Sequence, residues 1–413
     1  MVLQGKPMRN RYEQVELYSA EEYGRRLALV REEMERAGVD ILLIADPTGE
    51  AYDHWLTGRE LLEYVVVPKT GKFYGILLNE LDESGFADSF EAADFSRYVH
   101  QSSFETQARD VVFLNSLSQQ GIARLIRTCG GPRIGIVNQN CLCYDLARAL
   151  ERELPNLEFV DLRRAISVRK TVKSEEELDC VKMASVVQGQ MMQALRHMLR
   201  PGRSMKEIRT EVRDQTVAMG AGGFLHCMLI WLGPEDVPSG DIDPSAEDRI
   251  IQKGDRFFAL YESNAWGGHC TAMGRVFILG KASEEYKAAV EFAADNNRYA
   301  ASLLKPGNTL KQIRSMTESR AAMLGHTMKR MCWIHGLSTA TYGEGFYMNE
   351  ASDEWPLTNG AMVHCHPVST RYMPWAGPGA WEEAWELNTY VVTPEGGRPV
   401  VQYPLGLTEI DVD

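Results

Sequence analysis

The segment Ala361-Met-Val-His-Cys-His366 reads as a strand carrying two histidines two positions apart. Side chains alternate along a strand, so His364 and His366 face the same side. An imidazole beside a carboxylate is a workable general base near neutral pH, because the carboxylate holds the ring tautomer and stabilises the imidazolium. Asp243, Glu262, His269, His335, Tyr342 and Glu386 are the other groups able to take part in such chemistry. His335, His366 and Glu386 are also a set able to hold one divalent transition metal with open positions. Metal-free acid–base chemistry and a mononuclear metal site therefore both stay open. His364 has a plainer reading, as a histidine bonded to a backbone carbonyl; Tyr342 can be a packed aromatic and His269 a loop residue. Between Tyr372 and Trp385, aromatic and small residues interleave, and Trp375, Trp381 and Trp385 could cage a cationic or flat substrate or simply build an aromatic loop.

These residues need elements to bring them together, and the chain says one phrase twice. Leu199-Arg-Pro-Gly-Arg-Ser-Met-Lys-Glu-Ile-Arg209 returns as Leu304-Lys-Pro-Gly-Asn-Thr-Leu-Lys-Gln-Ile-Arg314. Each copy closes a helical run with Pro-Gly and reopens a helix behind a Ser or Thr cap. The spacing is too long for a solenoid period. It suits one domain built from two similar halves, with a site in the crevice between them.

The elements around the repeat follow from periodicity. Ser19-Ala-Glu-Glu22 reads as a capping box opening a helix that ends near Gly38, and residues 1–18 as an irregular arm. Strands are expected at 40–45, 64–67, 73–78, 133–137 and 157–161, with helices at 113–128 and 145–153. This alternation makes 1–165 an α/β domain. The basic stretch 163–173 reads as a linker. Ser174-Glu-Glu-Glu177 then opens a long helix, followed by helices at 206–219, 284–304 and 310–324 and by strands at 223–232, 257–262, 274–279, 361–366, 389–393 and 399–402. Residues 166–413 are thus an α+β domain with its elements in duplicate.

With 44% hydrophobic and 24% charged residues, the 413-residue chain has an ordinary globular composition. A net charge of -13 and no dense Lys/Arg cluster argue against a nucleic-acid partner. No apolar run approaches the ~20 residues that cross a bilayer, and no secretory signal is read at the N-terminus. Eight scattered cysteines, of which only Cys141 and Cys143 are close, fit free thiols in a cytoplasmic protein. The acidic end, Glu409 to Asp413, reads as a solvated tail.

Several phrases resemble one superfamily. Ser19-Ala-Glu-Glu-Tyr-Gly-Arg-Arg, Trp55-Leu-Thr-Gly58 and Val168-Arg-Lys-Thr-Val-Lys-Ser-Glu-Glu-Glu177 look like landmarks of its N-terminal domain and linker. Lys253-Gly-Asp255, Lys305-Pro-Gly307 and Ile334-His-Gly-Leu337 look like those of its catalytic domain. The chain resembles the pita-bread superfamily of creatinase, prolidase, aminopeptidase P and methionine aminopeptidase, and is closest in layout to creatinase. The resemblance implies an N-terminal α/β domain, a pseudo-twofold α+β catalytic domain and a homodimer.

Its site departs from the peptidase pattern of two Asp, one His and two Glu around two metal ions. Leu260, Tyr261 and Glu262 stand near the first Asp position, Ala272 at the second and His366 at the first Glu; His335 and Glu386 match the His and the second Glu. A bridged pair of hard cations needs those carboxylates. Creatinase is the metal-free precedent, using a His and two Glu, and here the corresponding positions hold Asp243, Gly274 and Glu386. The resemblance also puts Asp243, Glu262, His269 and Tyr342 on segments ringing the pocket, the Trp375–Trp381 loop on its border, and Arg59 where a dimer mate would present it to a substrate carboxylate.

The expectation is therefore a homodimeric, metal-independent hydrolase or lyase cleaving a C–N or similar bond of a small polar metabolite. His335 and His366 would handle protons, with Glu386, Glu262 and Asp243 as partners, and Tyr342, His269, Trp375, Trp381 and Arg59 would contact substrate. The alternatives are a mononuclear-metal hydrolase or Xaa-Pro peptidase on His335, His366 and Glu386, and a non-catalytic binding module on the same scaffold.

Overall fold

The computed structural model describes residues 18–45, 52–59, 62–77, 87–89, 106–115, 117–219, 221–235, 237, 247–265, 270–335, 354–372, 381–401 and 403–412. For 221–228, 263–265, 270, 327–335, 366–372, 381–383 and 385 the description is of the backbone. The expected N-terminal arm lies outside the described residues, but for Tyr18.

The N-terminal part is a six-stranded sheet built from β1 (Ile41–Ala45), β2 (Leu62–Pro68), β3 (Phe73–Leu77), β4 (Val111–Leu114), β5 (Arg133–Val137) and β6 (Glu158–Asp161), in the order β4-β3-β2-β1-β5-β6. β1 is buried on both faces, which is why it reads as an unbroken apolar run. Leu42 and Ile44 pack on α1 (Ala20–Ala37), α2 (Tyr52–Thr57) and α5 (Arg163–Thr171). Ile41 and Leu43 pack on α3 (Gln119–Cys129) and α4 (Tyr144–Glu153).

Two expectations change here. Val111–Leu114 is a strand, and the helix begins only behind the Ser118 cap. The stretch read as a linker is largely the helix α5, because Ile166 and the stem of Lys170 are buried against the domain.

The C-terminal part repeats one unit. The first copy is α6 (Glu175–Met198), α7 (Met205–Ala218), β7 (Ala221–Gly233), β8 (Arg256–Ala265) and β9 (Cys270–Leu279). The second is α8 (Glu284–Ser302), α9 (Leu310–Met323), β10 (Thr327–His335), β11 (Met362–Tyr372), β12 (Trp381–Trp385), β13 (Asn388–Thr393) and β14 (Gly396–Pro399).

The duplicated phrase sits at the two helix–helix corners. Gly202 and Gly307 adopt φ of 89° and 90°, a left-handed region that glycine enters without a Cβ penalty. Ser204 with Glu207, and Thr309 with Gln312, form full capping boxes. Leu199, Met205 and Ile208 are fully buried, as are Leu304, Leu310 and Ile313. Even the outer hydrogen bonds correspond: the Gly202 amide donates to the Ile251 carbonyl and the Gly307 amide to Leu357, each at 2.9 Å.

With the last strand β15 (Thr408–Ile410) included, the two half-sheets run β15-β9-β8-β7 and β10-β11-β13-β14, with β12 paired to β11. The strand β15 corrects the reading of a solvated tail, since it pairs in parallel with β9, buries Ile410 and places Glu409 on the Ala282 amide and Lys281. The last hairpin strand is Gly396–Pro399 rather than 399–402. Among the described residues no helix is long and apolar enough to cross a membrane.

A buried ionic knot joins the two parts. Arg26 on α1 pairs with Glu22 at 2.7 Å and with Glu177 on α6 at 3.1 Å, all three side chains at most 3% exposed. Its guanidinium lies 4.1 Å from the Tyr18 ring centroid. The Ser19 cap is only half a box: its hydroxyl accepts from the Glu22 amide, but the carboxylate that receives the Ser19 N–H is Glu176 of α6, because Glu22 is taken up by Arg25 and Arg26.

Candidate active site

Glu386 lies where the two half-sheets meet. β11 is long enough to pair with β12 through Val368–Tyr372 and with β13 through Met362–Cys365. Glu386 and Leu387 fill the step between β12 and β13, so the backbone of His366 and Pro367 runs past them. The Leu387 amide and carbonyl exchange hydrogen bonds with Gly274 of β9 at 3.2 and 3.1 Å, which stitches one half-sheet to the other. Gly274 permits this approach: a Cβ there would come within 2.5 Å of the Phe258 ring and 2.9 Å of Leu387. The position where creatinase-like chemistry would want a Glu is thus filled by close packing.

Asn297 of α8 fixes the step. Its Nδ2 donates to the carbonyls of Cys365 and Glu386, both at 2.8 Å, and its Oδ1 accepts from the Tyr390 hydroxyl at 2.6 Å.

The Glu386 carboxyl is fully buried. Arg275 of β9, also fully buried, brings Nε to 3.8 Å from Oε2. A guanidinium has five N–H donors, and the Arg275 nitrogens are directed at the carbonyls of Pro404, Gly274, Leu387 and Tyr403 and at Asn388 Oδ1. Its charge therefore reaches Glu386 mainly through space. Burial dominates both partners: it pushes the Glu386 carboxyl up to about 8, against the opposing pull of Arg275 and then of the Gly406 amide, and it pushes Arg275 down.

The flanking positions are apolar. Leu260 and Ala272 are buried and pack in one cluster with Phe258, Val276, Ala384 and Leu387. Glu262 pairs with Ala272 across β8–β9 and is half-buried. Thr389 of β13 ties the Ala272 backbone to His364, with Oγ1 accepting from the Ala272 amide at 3.0 Å, donating to its carbonyl at 2.9 Å and lying 2.8 Å from His364 Nδ1. His364 thus bonds the Thr389 hydroxyl through Nδ1.

Of the expected residues, the structure gathers Glu386, Glu262 and the backbones of His335 and His366 at this seam. His335 stands opposite His364 in the β10–β11 register, and His366 opposite Trp333. The Trp381 backbone begins β12, paired with Tyr372. Arg59 follows α2 in the N-terminal part and is half-buried. Asp243, His269, Tyr342 and Trp375 lie outside the described residues. Among those described, no three His, Cys, Asp or Glu side chains are grouped as a metal would require.

Arg275, Asn297 and Thr389 were missed as site residues. A polar residue on the buried face of α8 was the one signal for Asn297.

Residues 26–169 match the creatinase/prolidase N-terminal domain model, and 179–394 match the model of metallopeptidase family M24. The chain is 23% identical to the ectoine hydrolase of Halomonas elongata, covering 94% of this chain and 97% of that one. It is 23% identical to the creatinase of a Bacillus species, covering 94% and 92%. The solved Xaa-Pro dipeptidase of Bacillus anthracis superposes with a TM-score of 0.73 at 18% identity, over 94% of this chain and 99% of that one. The two half-sheets and their duplicated corners are the pita-bread architecture, and the chain belongs to metallopeptidase family M24, a family of hydrolases.

Proposed function

We propose that this protein is a metal-independent hydrolase acting on a C–N bond of a small polar metabolite, the kind of activity that its similarity to ectoine hydrolase and creatinase suggests. The observation that carries this reading is the seam itself. A buried carboxyl with a raised pKa, Glu386, lies beside the backbone of a histidine-bearing strand, while Ala272 supplies no oxygen where the resemblance puts a bridging carboxylate, and Glu262 is the carboxylate left near the first Asp position. Those side chains do not fit a bridged pair of divalent cations, and the Arg275 guanidinium already stands 3.8 Å from the retained carboxylate.

In this reading His366 or His335 takes a proton from water as its oxygen adds to the substrate carbon. The imidazolium then returns that proton to the leaving nitrogen as the C–N bond breaks. Glu386 holds the ring as a hydrogen-bonding partner and offsets the imidazolium charge once ionised, above about pH 8, with Glu262 and Asp243 as further partners. Tyr342, His269, Trp375 and Trp381 contact substrate. Arg59 does so from the second copy of a homodimer, since its own chain holds it in the N-terminal part. Free thiols at Cys129, Cys141, Cys143, Cys180 and Cys365 suit a cytoplasmic setting.

The test is a panel of creatine, ectoine and Xaa-Pro dipeptides assayed in heavy-oxygen water. Hydrolysis of a metabolite on the panel, with one label in the product and loss of turnover in His366→Ala and Glu386→Gln, supports the reading. Release of an unlabelled alkene product would replace hydrolysis with elimination. Turnover confined to Xaa-Pro dipeptides would favour the mononuclear-metal alternative on His335, His366 and Glu386. A biological activity that survives both substitutions would leave a binding module.

A further inference from the structure

The Thr389 hydroxyl has three partners and one proton. It accepts from the Ala272 amide, which is a donor only, and it faces the Ala272 carbonyl at 2.9 Å, which is an acceptor only. Its proton therefore goes to that carbonyl. Were the proton turned to His364 instead, two oxygens 2.9 Å apart would face each other with no hydrogen between them, in a site where Thr389, Ala272 and His364 are all 0% exposed. The third contact, 2.8 Å to His364 Nδ1, must then be filled by a proton on the ring. Hydrogen-bond counting of this kind assigns a histidine tautomer where the hydrogen itself is not seen.

We propose that Thr389 locks the neutral His364 ring as the Nδ1–H tautomer, which makes His364 a positioning residue that presents an acceptor, Nε2, to the candidate site. Three placements support the role. His364 is on the strand that carries His366, directly opposite His335 in register. Its clamp is anchored to the backbone of Ala272, at the seam that holds Glu386. Thr389 belongs to β13, three residues after Glu386, so the segment that supplies the buried carboxyl runs directly into the strand that sets the histidine tautomer. A ring locked in this way offers one kind of group to its neighbours, a lone pair, and so orients whichever N–H or O–H approaches it. The positioning role rests on the hydrolase reading above, whereas the tautomer does not.

The experiment is a long-range 1H–15N correlation spectrum of the full-length protein labelled with 15N-histidine, recorded at alkaline pH where the rings are neutral. The His364 signals are assigned by their disappearance in His364→Gln. The expected result is a protonated Nδ1 and a bare Nε2 in the wild type and in Thr389→Ser, with the pattern lost or reversed in Thr389→Val. An Nε2–H ring in the wild type, or an unchanged pattern in Thr389→Val, overturns the proposal. If Thr389→Val does not fold, the wild-type and Thr389→Ser spectra decide it. With a substrate in hand, Thr389→Val is expected to lower kcat on the order of tenfold or more while KM stays near its original value, and Thr389→Ser to restore it. Wild-type kcat in a Thr389→Val protein of altered tautomer would overturn the positioning role and leave the tautomer standing. Failure to find any substrate would count against the hydrolase reading alone.

Discussion

Glu386 concentrates the physics of the site. Unfolded, its carboxyl titrates near 4.5; folded, burial raises it to about 8. Below both values it is protonated in either state and burial carries no charge penalty. Between them the unfolded chain has released a proton that the folded chain keeps, so stability falls as pH rises and levels off above the folded value. Glu386→Gln is neutral throughout and should lack this fall. Thermal melts of both proteins across that window are expected to diverge, with the variant gaining on the wild type towards pH 8, and parallel curves would refute the assignment. The position of Glu386 was legible through the family resemblance, which matches it to the second Glu of the site. Its partner was not, because Arg275 reaches it from another half-sheet through a contact that no local spacing encodes. Thr389 was hidden for the same reason: a threonine in a strand is ordinary until the strand beside it is known.

Elements were read more securely than contacts. The corners at Leu199 and Leu304 were legible because Pro-Gly and a hydroxyl cap act within a few residues. Ser204→Ala and Thr309→Ala should each cost about 1 kcal/mol in denaturant unfolding, since each removes the cap of a pseudo-equivalent helix. A clear loss in one with none in the other would break the equivalence of the two halves. The failures are equally physical. Val111–Leu114 is a short strand whose partner is distant in sequence, and α5 is a basic stretch made helical by docking rather than by its own composition. The Arg26 knot was invisible because Glu22 and Glu177 read as cap residues of two helices distant in sequence. Its removal is testable: Arg26→Ala leaves the buried Glu22 and Glu177 with the part-exposed Arg25 in place of their buried guanidinium, and is expected to destabilise by about 3 kcal/mol in chemical denaturation. A loss below about 1 kcal/mol would mean the charges are solvated.

For the whole molecule, the two half-sheets, their shared seam and the N-terminal sheet carry the family's architecture, while the seam's side chains differ from the metallopeptidase pattern. Fold and chemistry are separable here because the corners and cores hold the scaffold, and only a few inward positions decide what it can bind. Ala272, at the position that the resemblance aligns with a metal-binding Asp, is part of the packed core. Metal independence is thus the central claim, and metal content measured alongside activity tests it most directly. Protein purified through exhaustive chelation is expected to hold only substoichiometric metal and to keep full turnover on its substrate. Turnover lost on chelation and restored by stoichiometric divalent metal would contradict the account.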